Sequence, residues 1–299
     1  MSQIGDVVRT KKKSPLKAFG ERYSYEIYLL RRNPVTVIGF FIVTVVVFCA
    51  IFAPIIAPYN PLALNPKDRT SPPSQHNILG TDEYGRDIFS RILYAARVDL
   101  FIAFTSVAIS AVVGVFLGAT SGYLGGIVDE VVMRILDIIQ AFPALILAMA
   151  LAVALGAGKT TIIYVVAFIM VPVFARIMRS EILSARERGY TEAALCMGES
   201  DLEIIFKQLL PNCLSPILVQ FALNISYAIL DAAALSFIGL GVRPPEAEWG
   251  SMVNAGVKYI SSGQYWLSIF PGLAMAITIL GFNLIADGLR DVFDPKMRS

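Results

Sequence analysis

Residues 35–57 read VTVIGFFIVTVVVFCAIFAPIIA, a run without one charged side chain. As a helix this run would be about 34 Å long, enough to cross a hydrocarbon core of roughly 30 Å. Five further apolar windows of similar kind follow, at 100–123, 131–155, 161–177, 214–240 and 266–286. In lipid each backbone N–H and C=O must be satisfied within the segment, so such windows become helices. The expectation is an all-α membrane protein with six transmembrane helices. The whole chain agrees with this: 299 residues, 56% hydrophobic and only 16% charged, with a mean hydropathy of +0.65.

Lys and Arg in the flanks set the orientation, because translocating positive charge is disfavoured. Arg9, Lys11, Lys12, Lys13, Lys17, Arg22, Arg31 and Arg32 precede the first window, which puts the N-terminus in the cytoplasm. Six crossings return the C-terminus, with Arg290, Lys296 and Arg298, to the same side. The chain then divides into a cytoplasmic segment (1–34) with an amphipathic helix over 16–32, a first span (35–57) and an extracytoplasmic loop (58–99). A five-helix core (100–286) with a cytoplasmic loop (180–213) and a cytoplasmic tail (287–299) follow. The loop 58–99 holds Lys67, Arg69, Arg86, Arg91 and Arg97, offset by Asp68, Asp82, Glu83, Asp87 and Asp99.

Several function classes fall away at once. A net charge of +2, with no basic stripe interleaved with aromatics, gives nucleic acid nothing to bind. Cys49, Cys196 and Cys213 are too far apart for a metal spacing. His76 is the only histidine and sits in a Pro-rich loop, a poor setting for a triad. Met1 to Lys17 lacks an apolar stretch, so no cleaved signal peptide is expected.

Inside the windows, Gly114, Gly118 and Gly122 recur every four residues, leaving one face bare for close helix contact. Pro143, Pro172 and Pro271 mark expected kinks. Ionisable residues cost about 2.5 to 3.5 kcal/mol at a span's centre, so each needs a reason. Arg134 and Asp137 are three apart and are expected to pair. Asp231 has no basic residue within four positions, and Asn224 shares nearly the same face. That face is a candidate lining of a translocation path.

The loop 180–213 is too polar to span and carries two helix signatures. Glu192-Ala193-Ala194-Leu195-Cys196-Met197 follows Gly189-Tyr190-Thr191 and ends at Gly198, a residue suited to the left-handed C′ position. Ser200-Asp201-Leu202-Glu203 is a capping box opening a second helix, whose apolar side is Ile204, Ile205, Phe206, Leu209 and Leu210. Pro211 is expected to stop it. Exposed apolar residues on such a projection suit a soluble partner.

Here the sequence resembles the permeases of ABC importers. Glu192-Ala193-Ala194, three residues, Gly198, nine residues, Gln208, one residue, Leu210-Pro211 is similar to their EAA loop, E-A-A-x3-G-x9-I-x-L-P, with Gln208 in place of an apolar residue. Leu79-Gly80-Thr81-Asp82-Glu83-Tyr84-Gly85-Arg86-Asp87 resembles the segment after the first span in the dipeptide, oligopeptide and nickel branch. So do Ala228-Ile229-Leu230-Asp231-Ala232-Ala233-Ala234-Leu235, Pro244-Pro245 with Glu248-Trp249-Gly250, and Asp287-Gly288-Leu289-Arg290-Asp291 with Asp294-Pro295. The resemblance implies a type I ABC importer permease fold, a heterodimer with a homologous permease, two ABC ATPase subunits and an extracytoplasmic solute-binding protein. It implies ATP and Mg bound by the ATPases, with no cofactor, no metal and no enzymatic activity in this chain. Glu192, Ala193, Ala194, Gly198 and Asp201 become the expected ATPase-coupling residues. Peptide is the favoured solute, with nickel or glutathione as alternatives. The expected location is a bacterial or archaeal cytoplasmic membrane, with lipid around the spans.

Gly156-Ala157-Gly158-Lys159-Thr160 imitates a phosphate-binding loop, but Val153 stands where its first glycine is required. It reads as a tight turn between spans. An ion-coupled secondary transporter would show repeats and broken spans, which the sequence does not suggest. Asp137 and Asp231 lack the Gly-x-Gly-Asp context of an intramembrane aspartyl protease. A structural membrane subunit without transport activity stays open at this point.

Overall fold

The computed structural model describes residues 33–293, so the amphipathic helix expected over 16–32 and the tail 294–299 lie outside the described residues. Among the described residues ten α-helices follow one another. They are α1 (Pro34–Ile56), α2 (Ile88–Leu124), α3 (Gly126–Gln140), α4 (Ala144–Leu155), α5 (Lys159–Arg186), α6 (Gly189–Cys196), α7 (Asp201–Glu203), α8 (Leu210–Phe237), α9 (Trp249–Val257) and α10 (Trp266–Phe293). A single antiparallel bridge, Thr81 to Asp87, is the only extended pairing among them.

Five of these rods are long and apolar enough to cross a membrane: α1, α2, α5, α7 running into α8, and α10. The pair α3 and α4, bent by 88°, raises the count to six where the two are taken together as one broken span. The kink expected at Pro143 in the 131–155 window is therefore a full break between two helices. Pro143 has no N–H to give the preceding turn and disfavours a helical Phe142, so α3 ends at Gln140 and the chain restarts in a new direction.

Helix α2 starts at 88 rather than at 100, because Asp87 caps it, accepting from the Ser90 N–H at 2.8 Å and the Ser90 hydroxyl at 2.7 Å. Its glycine stripe is the seam against α5. A Cβ on Gly114 would stand 2.6 Å from Phe174 Cβ, one on Gly118 would strike the Ala175 carbonyl, and one on Gly122 would lie 3.0 Å from Arg179 O. Without side chains on this face the two backbones close together and Phe174 is sealed at 0% exposure. Helix α1 meets α10 in the same manner, with a Gly39 Cβ 2.7 Å from Leu284 and Gly288 under Thr36.

A second correction concerns Pro211. It does not end the helix that begins at Ser200. Residues Ile204–Leu209 wind as a π-helix, and the Leu210 N–H reaches back five residues to Ile205 O. The register shift leaves Pro211 in the first turn of α8, where no intrahelical donor is required of it. The loop is thus welded to the following span.

Candidate functional site

The loop between α5 and α8 is built from two local motifs. Helix α6 closes with Gly198 at φ +80°, the Glu199 N–H bonding Ala194 O at 3.2 Å and the Gly198 N–H bonding Leu195 O at 3.0 Å. This is a Schellman termination. Nothing lies within 4 Å of a Cβ added at Gly198, so handedness, not crowding, demands glycine there. Next, Ser200 and Glu203 form the expected capping box: Ser200 Oγ accepts from the Glu203 N–H at 3.4 Å, and Glu203 Oε2 accepts from the Ser200 N–H at 3.2 Å.

These motifs fix which side chains face outward. Glu192, Ala193, Gly198 and Asp201 are exposed, whereas Ala194 is 1% exposed and belongs to the core. Of the expected apolar side, Ile204, Ile205 and Leu209 are buried, Leu210 is half-buried and Phe206 is uncovered, as are Leu195, Met197 and Leu202 elsewhere in the loop. A flat apolar surface with polar edges results, next to the small side chain of Ala193.

Ionic contacts tie this surface to the bundle. The Tyr123 hydroxyl at the end of α2 donates to Asp201 Oδ1 at 3.0 Å, and Arg186 Nη1 donates to Tyr123 O at 3.1 Å. Arg179 holds Asp129 with two bonds of 2.5 Å, a bidentate match of guanidinium and carboxylate. Asp137 pairs with Arg176 at 2.6 Å and not with Arg134, as its spacing had suggested. The reason is tertiary packing: α3 lies against the end of α5, whose arginines approach from the side. None of Tyr123, Asp129, Arg179 or Arg186 was singled out from sequence, because their partners lie 50 to 78 positions away.

Asp231 and Asn224 do share a face of α8, and two further polar residues join them. Gln220, Asn224, Tyr227 and Asp231 recur at i, i+4, i+7 and i+11, a spacing that could have been read from the sequence. Gln220 Nε2 donates to Asn224 Oδ1 at 3.0 Å. Asn224 is 3% exposed and its Nδ2 has no hydrogen-bond partner, while Asp231 is half-buried and Tyr227 exposed.

At the opposite end, residues 58–87 and 242–265 fold into a cap over α2. Asp82 binds Arg86 at 2.7 Å and lies 3.4 Å from Arg91, whose Nη1 donates to Pro61 O at 3.1 Å. Trp249, 1% exposed, donates its N–H to Asp99 Oδ2 at 3.1 Å and its indole N–H to Ile92 O at 3.3 Å. Glu248, 0% exposed, caps α9 through the Gly250 and Ser251 N–H groups, both at 2.7 Å. Burial, partly offset by these bonds, raises the Glu248 carboxyl above the usual carboxylate range. A cavity of about 940 Å³ opens beside the cap, with Tyr59, Tyr94, Arg97 and Lys159 on its walls. Lys159 is bound to Glu246 at 2.7 Å, so the Gly156–Thr160 run is a turn whose lysine serves the cap.

Comparison with known proteins adds the following. The family model described as the binding-protein-dependent transport system inner membrane component matches residues 114–299, and that of the N-terminal TM domain of oligopeptide transport permease C matches residues 28–73. A dipeptide transport system permease protein of Alkalihalophilus pseudofirmus is 42% identical, over 90% of this chain and 88% of its own. A di/tripeptide transport system permease protein of Pseudomonas aeruginosa is 38% identical, over 96% and 94%. A glutathione transport system permease protein of Pectobacterium atrosepticum is also 38% identical, over 98% and 95%. Among solved structures, a chain of the MetNI methionine ABC transporter in inward-facing conformations aligns with a TM-score of 0.51 at 19% identity, over 68% of this chain and 97% of that one.

Proposed function

The chain belongs to the family of binding-protein-dependent transport inner membrane components, and from that premise we propose that it forms half of a peptide-conducting pore driven by separate ATPases. The observation that carries this reading is the rigid projecting surface of α6 and α7, fastened to α2 by Tyr123–Asp201 and continuous with α8. Glu192, Ala193, Gly198 and Asp201 line the side offered to an ATPase groove, and Ala194 supports them from within. Force applied there is passed to α2 through Tyr123 and Arg186, to α3 through Arg179 and Asp129, and to α8 through the unbroken backbone.

The remaining parts follow this logic. A homologous permease supplies the other half, two ATPase subunits bind ATP and Mg, and a binding protein delivers solute to the cap and its cavity. The membrane is the cytoplasmic one, with the 1–34 segment, the 180–213 loop and the 287–299 tail inside and the 58–99 loop outside. Asp231 and Asn224 line the path. Peptide is preferred as solute because relatives named for dipeptides and di/tripeptides cover most of the chain, and glutathione is itself a peptide.

The test is reconstitution of the chain with its partner permease, ATPases and binding protein in proteoliposomes. ATP-dependent uptake of labelled dialanine, stimulated by the binding protein, is the expected result. Uptake that proceeds at full rate without the ATPases would sink the reading.

A further inference from the structure

The polar stripe on α8 lacks a partner, and its chemistry says what the partner should be. Eleven residues separate Gln220 from Asp231, about 16 Å along the helix axis. Asp231 sits toward the cap end, where solute would arrive, Asn224 lies nearest the middle of the helix, and Gln220 lies beyond it. Among the described residues no cation and no hydrogen-bond donor meets the Asp231 carboxyl. Asn224 Nδ2 is buried and unsatisfied, and the Tyr227 hydroxyl makes no hydrogen bond among the described residues.

Each of these groups is costly in a span unless something polar completes it. A carboxylate asks for a positive charge, whereas an amide N–H and a phenol ask for carbonyls. A short peptide carries this set in this order, an ammonium group followed by main-chain amides. At about 3.3 Å per extended residue a di- or tripeptide fits within the length of the stripe.

We propose that Asp231 receives the α-ammonium group of a peptide in transit while Tyr227 and Gln220, the latter held by the buried Asn224, take the hydrogen bonds of its amides, so that a free amine is a condition of passage. This rests on the reading of the chain as a peptide permease. An N-acylated peptide would leave the carboxylate unpaired in a medium of low dielectric. Sites built to pair a polar group reject analogues lacking it far more strongly than apolar pockets reject a missing methylene.

The experiment compares dialanine with N-acetyl-dialanine in the reconstituted importer, at concentrations that saturate the binding protein with either, and reads maximal uptake rate. The wild-type chain should move dialanine at least about tenfold faster, in line with the cost of an unpaired charge. Asp231→Asn should bring that ratio near one, and Asp231→Glu should preserve it. Equal wild-type rates for the two peptides would overturn the proposal whatever the variants do. A ratio unchanged in Asp231→Asn would also overturn it, as would recovery of that variant by neutralising a basic residue of the partner permease. If the wild-type importer moves neither peptide, the peptide reading falls and takes this inference with it. A surviving peptide reading with a failed inference shows instead as brisk uptake of both.

Discussion

The two ends of the bundle are stabilised in different ways. At the loop end, the Schellman closure and the capping box join residues three to five positions apart, and the polypeptide needs little help from elsewhere to adopt them. At the cap end, Trp249 reaches Asp99 and Ile92 across 150 and 157 positions, and the Tyr259 hydroxyl reaches Glu83 Oε2 across 176. One end is held mainly by local backbone bonds. The other is a set of buried contacts whose loss would open the bundle. Damage at the cap should therefore cost stability, and damage at the loop should cost coupling.

The largest effect separating the two is expected from Trp249→Ala. Removing a side chain only 1% exposed, with its indole bond to Ile92 O, should cost about 3–5 kcal/mol, read as a fall in the thermal unfolding midpoint of the solubilised protein. Little change would mean that the cap is not what holds α9 to α2.

A pH titration sharpens the same contrast. Burial raises the Glu248 carboxyl, which lies beside the buried Asp99, so the folded chain keeps a proton on this pair that the unfolded chain releases. Its contribution is complete below the ordinary glutamate range and is lost as pH rises through the elevated value. Unfolding midpoints should thus decline from acid toward neutral pH, and Glu248→Gln, which can keep one of the two cap bonds to α9, should lessen that decline.

At the loop end Ser200→Ala removes one cap and should cost about 1 kcal/mol, measured in the same assay. The smallest stability effect is expected from Ala193→Trp, within about 0.5 kcal/mol, because Ala193 is exposed. In the assembled importer that substitution should nonetheless abolish ATP-driven uptake by blocking approach of the ATPase. Normal uptake would remove Ala193 from the docking surface.

How much of this was legible varies with the distance between partners. Spans at 35–57 and 266–286 were readable because apolar length is a local property, and the glycine stripe named its own seam. Gly198 and Ser200 were readable for the same reason. Arg176, by contrast, takes Asp137 from Arg134 because α3 packs beside α5. Pro143 was visible in the sequence, but the direction of the chain after it was not. Likewise Pro211 looked like a stop, and the π turn that absorbs it depends on Ile204, Ile205 and Leu209 being drawn into the core.

What the amino-acid sequence determined by itself was the solvent, the apolar windows and the two loop motifs, since hydrophobic length and backbone capping act over a few residues. Tertiary structure alone decided which charges pair, which loop residues face outward and how the cap is locked. Those outcomes depend on where rigid helices meet, and a helix brings together residues that are dozens of positions apart.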